Sequence, residues 1–197
     1  MRALTYFIAT TLDGHIAGPD RGDPTGPDGW WPMAEDYVAH LVAHYPEALP
    51  GPARSALGIT EEGTLFDTVV SGRRTYQIGL DAGLTNAYPH LSQVVFSRSL
   101  PPSTDPGVEV VDSDPVEAVR ALKQRDGKGI WLVGGGDLAG ALHDEIDVLV
   151  LKVSPMTLGS GVALFGESSF APRLWSLRES VVLDSGALFL TYDRVRD

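Results

Sequence analysis

The stretch Ile130-Trp131-Leu132-Val133-Gly134-Gly135-Gly136-Asp137-Leu138 decides how the rest of the chain is read. Its four apolar residues have the pattern of a buried strand. Three glycines follow without a break. Asp137-Leu138-Ala139-Gly140-Ala141-Leu142-His143 then reads as a helix, with Asp137 as N-cap or first-turn residue. A strand feeding a helix through glycines brings bare backbone up to a ligand. The helix start supplies unpaired N–H groups and the positive end of the dipole. Both favour a phosphate. The triplet is not the spaced GxGxxG of a dinucleotide fold, and by itself it serves equally as a plain tight turn.

Upstream, Leu4 to Thr11 is an apolar, β-rich run. Leu12-Asp13-Gly14 breaks it, and His15-Ile16-Ala17-Gly18 resumes briefly. Pro19 to Pro32 is a Gly-, Pro- and Asp-rich loop long enough to be functional or mobile. It ends in Trp30-Trp31, which either line a flat-ligand pocket or close the loop onto the core. The spacing of Asp20, Asp23 and Asp28 does not match a calcium loop. Val38, Leu41, Val42 and Tyr45 predict a helix over Met33 to Leu49, ended by Pro46 and Pro50, and Gly51 to Gly63 reads as loop. Leu65 to Ser71 is a strand that turns at Gly72-Arg73-Arg74-Thr75-Tyr76 into a short helix. Gln93 to Ser97 and Val108 to Val111 are further strands. Asp114-Pro115 starts a helix running through Arg125.

Downstream of the triplet, Val148 to Val153 is a buried strand and Pro155 to Phe165 a Gly-rich connection. Leu174 to Leu183 and Leu188 to Tyr192 form a hairpin turning at Asp184-Ser185-Gly186. Strands alternate with helices through the middle of the chain and a hairpin closes it. That pattern predicts an α/β fold with a largely parallel sheet and an antiparallel edge.

A chain of 197 residues can build one sizeable core, and a single domain over 1–197 is expected. With 43% hydrophobic and 21% charged residues it should be globular. It has no cysteine, which excludes disulfides, thiolate metal sites and a Cys nucleophile and fits a reducing cytoplasm. No signal peptide or membrane span is evident. No His or carboxylate cluster has metal-ligand spacing, so no metal is expected. A net charge of −11 should repel nucleic acid and anionic membranes, so neither is expected as a partner. Any phosphate ligand must then be held by local arginines and backbone N–H groups.

Five segments, in order, resemble the dihydrofolate reductase-like fold, and more closely its branch similar to the C-terminal reductase domain of bacterial riboflavin biosynthesis. They are Thr11-Leu12-Asp13-Gly14-His15-Ile16-Ala17, Val70-Ser71-Gly72-Arg73-Arg74-Thr75-Tyr76, Val95-Phe96-Ser97-Arg98-Ser99-Leu100, Val133-Gly134-Gly135-Gly136, and Pro155-Met156-Thr157-Leu158-Gly159-Ser160-Gly161 with Phe165. The resemblance implies a three-layer αβα fold: a mixed, mostly parallel central sheet, helices on both faces and a C-terminal antiparallel hairpin. It also implies an NADPH site. Gly134-Gly135 matches the family's glycine pair, often cis, which meets the nicotinamide ribose and pyrophosphate together with Val133, Gly136, Asp137 and Leu138. Gly72, Arg73, Arg74 and Thr75 match the phosphate-binding helix start. Ser97 and Arg98 match the pair that reaches the 2′-phosphate. Ala9 and Ile16 match positions flanking the nicotinamide.

On the substrate side, Trp31 precedes Asp36 by the spacing that the family often shows, although Pro32-Met33-Ala34 departs from its usual Leu-Pro. Asp13 matches the Asp of the Ser/Thr-Leu-Asp-Gly motif that riboflavin-type reductases place beside the substrate. Asp13 and Asp36 are therefore the two candidate proton donors. Each also has a plain structural reading, Asp13 as a turn residue before Gly14 and Asp36 as a first-turn acid. His15 reads as an exposed or turn residue. The resemblance implies an NADPH-dependent reductase that passes a hydride to a small heterocyclic or ribose-like substrate, and a homodimer. The alternative is a nucleotide- or flavin-binding protein of the same fold that does not turn over.

Overall fold

Six parallel strands set the frame. β1 (Leu4–Thr11), β3 (Phe66–Gly72), β4 (Ser92–Phe96), β5 (Val108–Val111), β6 (Gly129–Gly134) and β7 (Val148–Ser154) pair in parallel. β10 (Leu188–Arg194) adds antiparallel to β7, and β9 (Trp175–Val182) antiparallel to β10. The eight-stranded order is β5-β4-β3-β6-β1-β7-β10-β9, and β2 (His15–Ala17) pairs with β8 (Val162–Ala163) in a separate ribbon. This computed structural model describes residues 1–26, 29–166 and 168–196. Asp28 lies outside the described residues.

Interior parallel strands are covered on both faces, which is why β1, β6 and β7 read as near-continuous apolar runs. Alternation along each strand divides them between two cores. Leu4, Tyr6, Val70, Ile130 and Leu132 pack against Val119 and Leu122 of α4 (Pro115–Lys123) and against Ala139 and Leu142 beside α5 (Gly136–Ala141). Phe7, Val69, Trp131, Val150 and Phe189 pack on the other face against Tyr37 and Leu41 of α1 (Glu35–His44). The layers are therefore helix, mixed sheet, helix, with the antiparallel hairpin at one side.

Two helical expectations need correction. The helix expected over Met33 to Leu49 ends at His44, and a 3-10 turn over Pro46–Ala48 follows. Pro46 lacks an N–H and forces the residue before it out of the helical region; Tyr45 accordingly has φ −139° and ψ 46°. The expected loop after it holds α2 (Gly51–Ala56), with proline in its first turn. Arg54 of α2 donates to the carbonyls of Pro46 at 2.7 Å and Glu61 at 2.6 Å, and so stitches both flanks of that helix together. At α4 the cap is as the sequence indicates: Asp114 accepts from the N–H groups of Val116 and Glu117. No helix among the described residues is long and apolar enough to cross a membrane.

Candidate functional site

All six parallel strands point their carboxyl ends to one edge, where open α/β sheets hold ligands. A cleft of about 800 Å3 opens there. Phe7, Ala9, Trp131, Val133 and Lys152 contribute from the strands, and the start of α3 (Arg73–Asp81) and the glycine turn before α5 border one end. The loop between β2 and α1 adds Arg21 to Thr25 and Trp31. The expected positions Ile16, Gly72, Arg73, Arg74, Thr75, Gly134, Gly135, Gly136, Asp137 and Leu138 all line it.

At the glycine end, α3 begins after Gly72 with no side chain capping its first N–H groups. Such a helix start is open to an anion. The Gly134–Gly135 peptide, whose counterpart in the family is often cis, is trans here, and the turn is made by Gly135 at φ +89° and ψ 103°. A Cβ on Gly134 would stand 3.4 Å from Thr75 Oγ1, so glycine keeps this junction between two helix starts open. Gly136 is glycine for a different reason. A Cβ there would lie 2.3 Å from the Ala163 carbonyl oxygen and 2.9 Å from the Gly166 nitrogen.

Asp137 is a first-turn residue of α5, not its N-cap. Its carboxylate binds Arg21 Nη1 at 3.0 Å and Arg74 Nη1 at 3.1 Å. Two guanidinium groups on one carboxylate leave net positive charge beside the glycine turn, in a chain of net charge −11. Arg21 was not anticipated as a site residue. It has φ 61°, alone among the described non-glycine residues in being positive, a conformation uncommon for such residues. This end can therefore hold a phosphate-bearing ligand by charge and by backbone N–H groups.

The other end is aromatic. Trp31 is 5% exposed, packs 5.6 Å from Trp30 and donates its backbone N–H to Pro24. It thus serves both readings, closing the loop and lining the cleft. Its Nε1 is buried without a hydrogen-bond partner among the described residues. Trp131 meets Phe7 and Tyr88 edge-on at 6.0 and 4.9 Å, and burial pushes the Tyr88 phenol up. Flat apolar surface with few polar groups suits a planar ring.

Four expected residues lie outside the cleft lining. Ser97 Oγ accepts from the N–H groups of Ser99 and Leu100, and Arg98 is exposed. They follow Phe96, which stands in register with Gly72, so they occupy the same sheet edge beside Arg73.

Asp13 and Asp36 are the two candidate proton donors expected on the substrate side. Neither lines the cleft, and both pKa values fall. Asp13 accepts from Thr11 Oγ1 at 2.5 Å, Gly159 N at 2.7 Å and Leu158 N at 3.1 Å. The Thr11 hydroxyl first, then these N–H groups, hold its carboxyl well below the ordinary carboxylate range. Asp36 accepts from Ser185 N and Tyr37 N, each at 2.7 Å, and the Ser185 bond holds it low. One acid pins the loop after β7 and the other the hairpin turn. His15 Nδ1 stands 3.4 Å from Asp13 Oδ1 in the same cluster.

Lys152 is another lining residue that sequence reasoning missed. The signal was present: one cation in the middle of the otherwise apolar run Val148-Leu149-Val150-Leu151-Lys152-Val153. Its Nζ stands 4.3 Å from the centroid of the Phe7 ring. Burial pulls its ammonium down to about 7.

Comparison with known proteins agrees with this geometry. The chain is 34% identical over 177 residues to the uncharacterized protein YwjB of Bacillus subtilis (strain 168), covering 88% of each. It is 25% identical to YyaP of the same strain, over 83% of this chain and 80% of that one. Among solved structures it resembles a riboflavin biosynthesis protein from Shewanella sp. PV-4, with TM-score 0.65 and 24% identity over 98% of this chain and 99% of that one. It also resembles a diaminohydroxyphosphoribosylaminopyrimidine deaminase/5-amino-6-(5-phosphoribosylamino)uracil reductase from Thermotoga maritima, with TM-score 0.66 and 18% identity over 98% of this chain and 57% of that one. A pyrimidine reductase-like protein from Corynebacterium diphtheriae gives TM-score 0.63 and 16% identity, covering 100% and 93%. These likenesses identify the dihydrofolate reductase-like fold. The sequence model of the RibD C-terminal domain matches residues 2–189, and the chain belongs to that family.

Proposed function

We propose that the protein is an NADPH-dependent reductase acting on a C=N or C=O carbon of a small heterocyclic or ribose-like substrate. One observation carries the reading. A single cleft joins an open, cationic helix start and a glycine turn at one end to an aromatic chamber at the other. The family and the fold of its neighbours support it.

The residues present fit the cofactor. Arg73 and Arg74 suit the diphosphate, with the α3 N–H groups and the Gly134–Gly136 backbone beside them. Thr75 Oγ1 sits at the glycine junction, placed to bond a ribose or phosphate oxygen. Arg98 and Ser97, at the exposed sheet edge, suit the 2′-phosphate. When bound, NADPH supplies the hydride. The chain's part is to hold the reacting rings face to face beside Ala9 and Val133, exclude water with Trp31 and supply a proton.

A second reading keeps the site and drops turnover: a nucleotide- or flavin-binding protein. It is favoured by the placement of Asp13 and Asp36 away from the cleft. Loss of reduced-nicotinamide absorbance, followed with dihydrofolate and 5-amino-6-(5-phosphoribosylamino)uracil as trial substrates, tests the choice. Steady substrate-dependent oxidation is expected. Tight NADPH binding without oxidation on any trial substrate favours the second reading.

We also propose a homodimer and a cytoplasmic location. β9 is a long edge strand with Leu177 54% and Val182 74% exposed. The absence of cysteine fits a reducing compartment.

A further inference from the structure

Among the cations buried or half-buried in this fold, Lys152 stands apart. Arg2 pairs with Asp67, Lys123 Nζ lies 2.7 Å from Asp147, and Arg54 donates to two carbonyls. Lys152 makes no hydrogen bond or ion pair among the described residues. It lies on β7, in register with Ala9 on one side and Phe189 on the other. Side chains in register share a face of the sheet, so its stem runs beside Ala9 and its ammonium comes over Phe7. That face opens into the cleft.

The titratable groups on the elements packed against this region make no hydrogen bond or ion pair to Lys152 among the described residues. Asp23, the carboxylate of the β2–α1 loop that lines the cleft, accepts from the N–H and hydroxyl of Thr25. Asp36 holds Ser185 and Tyr37. His40 and Tyr45 pack on Phe189, and Tyr37 does the same. Glu179 acts on His40 and Tyr45. Tyr88 lies across the cleft against Trp131. The face of Phe7 attracts the ammonium but accepts no proton. A desolvated cation without a counter-charge is costly in a strand where Leu or Val would fit. The acceptor it lacks is therefore one that a ligand brings.

Resting on the reductase reading above, we propose that Lys152 Nζ is the proton donor of the reaction and marks the substrate end of the cleft. The C=N or C=O carbon takes the hydride of the reduced nicotinamide. The π pair moves onto the nitrogen or oxygen, which takes a proton from Nζ as the ammonium N–H bond breaks. The neutral amine then regains its proton from water at the mouth of the cleft. Burial keeps the ammonium poised to release a proton near neutral pH. The substrate this fits is a flat ring whose polar edge faces Lys152 while its faces lie among Phe7, Trp131 and Tyr88.

The first test needs no substrate. The chain has three lysines, Lys123, Lys128 and Lys152. Wild-type protein is acylated with acetic anhydride across a pH series, and each lysine is followed by peptide mass spectrometry. Half-maximal labelling of Lys152 is expected near pH 7, well before that of free Nα-acetyl-lysine added to the same mixture as a reference amine with the ordinary lysine value of about 10.4. Lys152 labelling that rises only with the reference amine overturns the proposal, whatever the trial substrates show. The second test compares wild type with Lys152→Met and Lys152→Arg in single turnovers on the substrate that wild type reduces. Both variants should keep NADPH affinity, lose roughly 10²–10⁴ in rate and lose the fall in rate that wild type shows above pH 7. Wild-type rate and pH profile in Lys152→Met also overturn the proposal. Failure of all three proteins to bind NADPH overturns instead the reductase reading on which it rests.

Discussion

At the scale of single residues, the two aspartates show how one motif supports two roles. Asp13 matches the family motif in sequence, yet it lies outside the cleft lining and its carboxylate is spent on Thr11, Leu158 and Gly159. Replacing it by Asn removes charge-assisted bonds to two backbone N–H groups. The amides of Leu158 and Gly159 should then exchange about tenfold faster in Asp13→Asn, while NADPH affinity stays at the wild-type level. Hydrogen exchange and a cofactor titration check both halves. Because its folded pKa is depressed, this contribution is complete above the unfolded value of about 3.9 and is lost as pH falls toward the folded one. Arg98 carries the opposite kind of expectation. It is exposed and makes no side-chain hydrogen bond or ion pair among the described residues, so its removal should leave the fold intact. Arg98→Ala should weaken NADPH about tenfold and leave NADH nearly unchanged. Equal losses for both cofactors, in parallel titrations, would put Arg98 away from the 2′-phosphate.

At the scale of elements, the glycine turn between β6 and α5 is held by two separate demands. Gly135 takes a positive φ, and Gly136 lies under the 163–166 backbone. Backbone atoms do not yield as the end of a flexible side chain does. Gly136→Ala should therefore cost about 1–3 kcal/mol and displace the 163–166 segment, read as a lower urea midpoint at unchanged slope. α3 is simpler. Its amphipathic pattern buries Tyr76 and leaves Arg73 and Arg74 outside, so the same periodicity that seats the helix presents its cations to the cleft edge. The loop from β2 to α1 is fastened to α5 by Arg21 on Asp137, and it closes on itself through Trp31, which packs on Trp30 and donates its N–H to Pro24. Its length alone did not indicate that fastening.

At the scale of the whole molecule, the sheet has two edges, β5 and β9. β9 is eight residues long and exposes Leu177 and Val182, with Leu174 just before it 73% exposed. Such an edge is a template for pairing unless covered, and a two-fold copy of the same edge covers it with closed symmetry. Light scattering at micromolar protein should give the dimer mass, and Leu177→Glu should shift it to the monomer. A wild-type monomer would remove the claim.

The α/β class, all six parallel strands and the closing hairpin follow from periodicity and turn residues that act within a dozen positions of one another. The Asp114 cap and the Arg-Arg-Thr helix start are local in the same way, and so were legible. What the sequence could not decide depended on distance across the fold. Asp13 is turned from the cleft by N–H groups roughly 145 positions away, and Asp36 by Ser185 at a comparable separation. Lys152 becomes a lining residue only because the parallel register of β1 and β7 sets it beside Ala9 and over Phe7. Helical and strand patterns are local statistics, whereas the state of a titratable side chain is fixed by whichever donors, rings and water the completed fold brings to it.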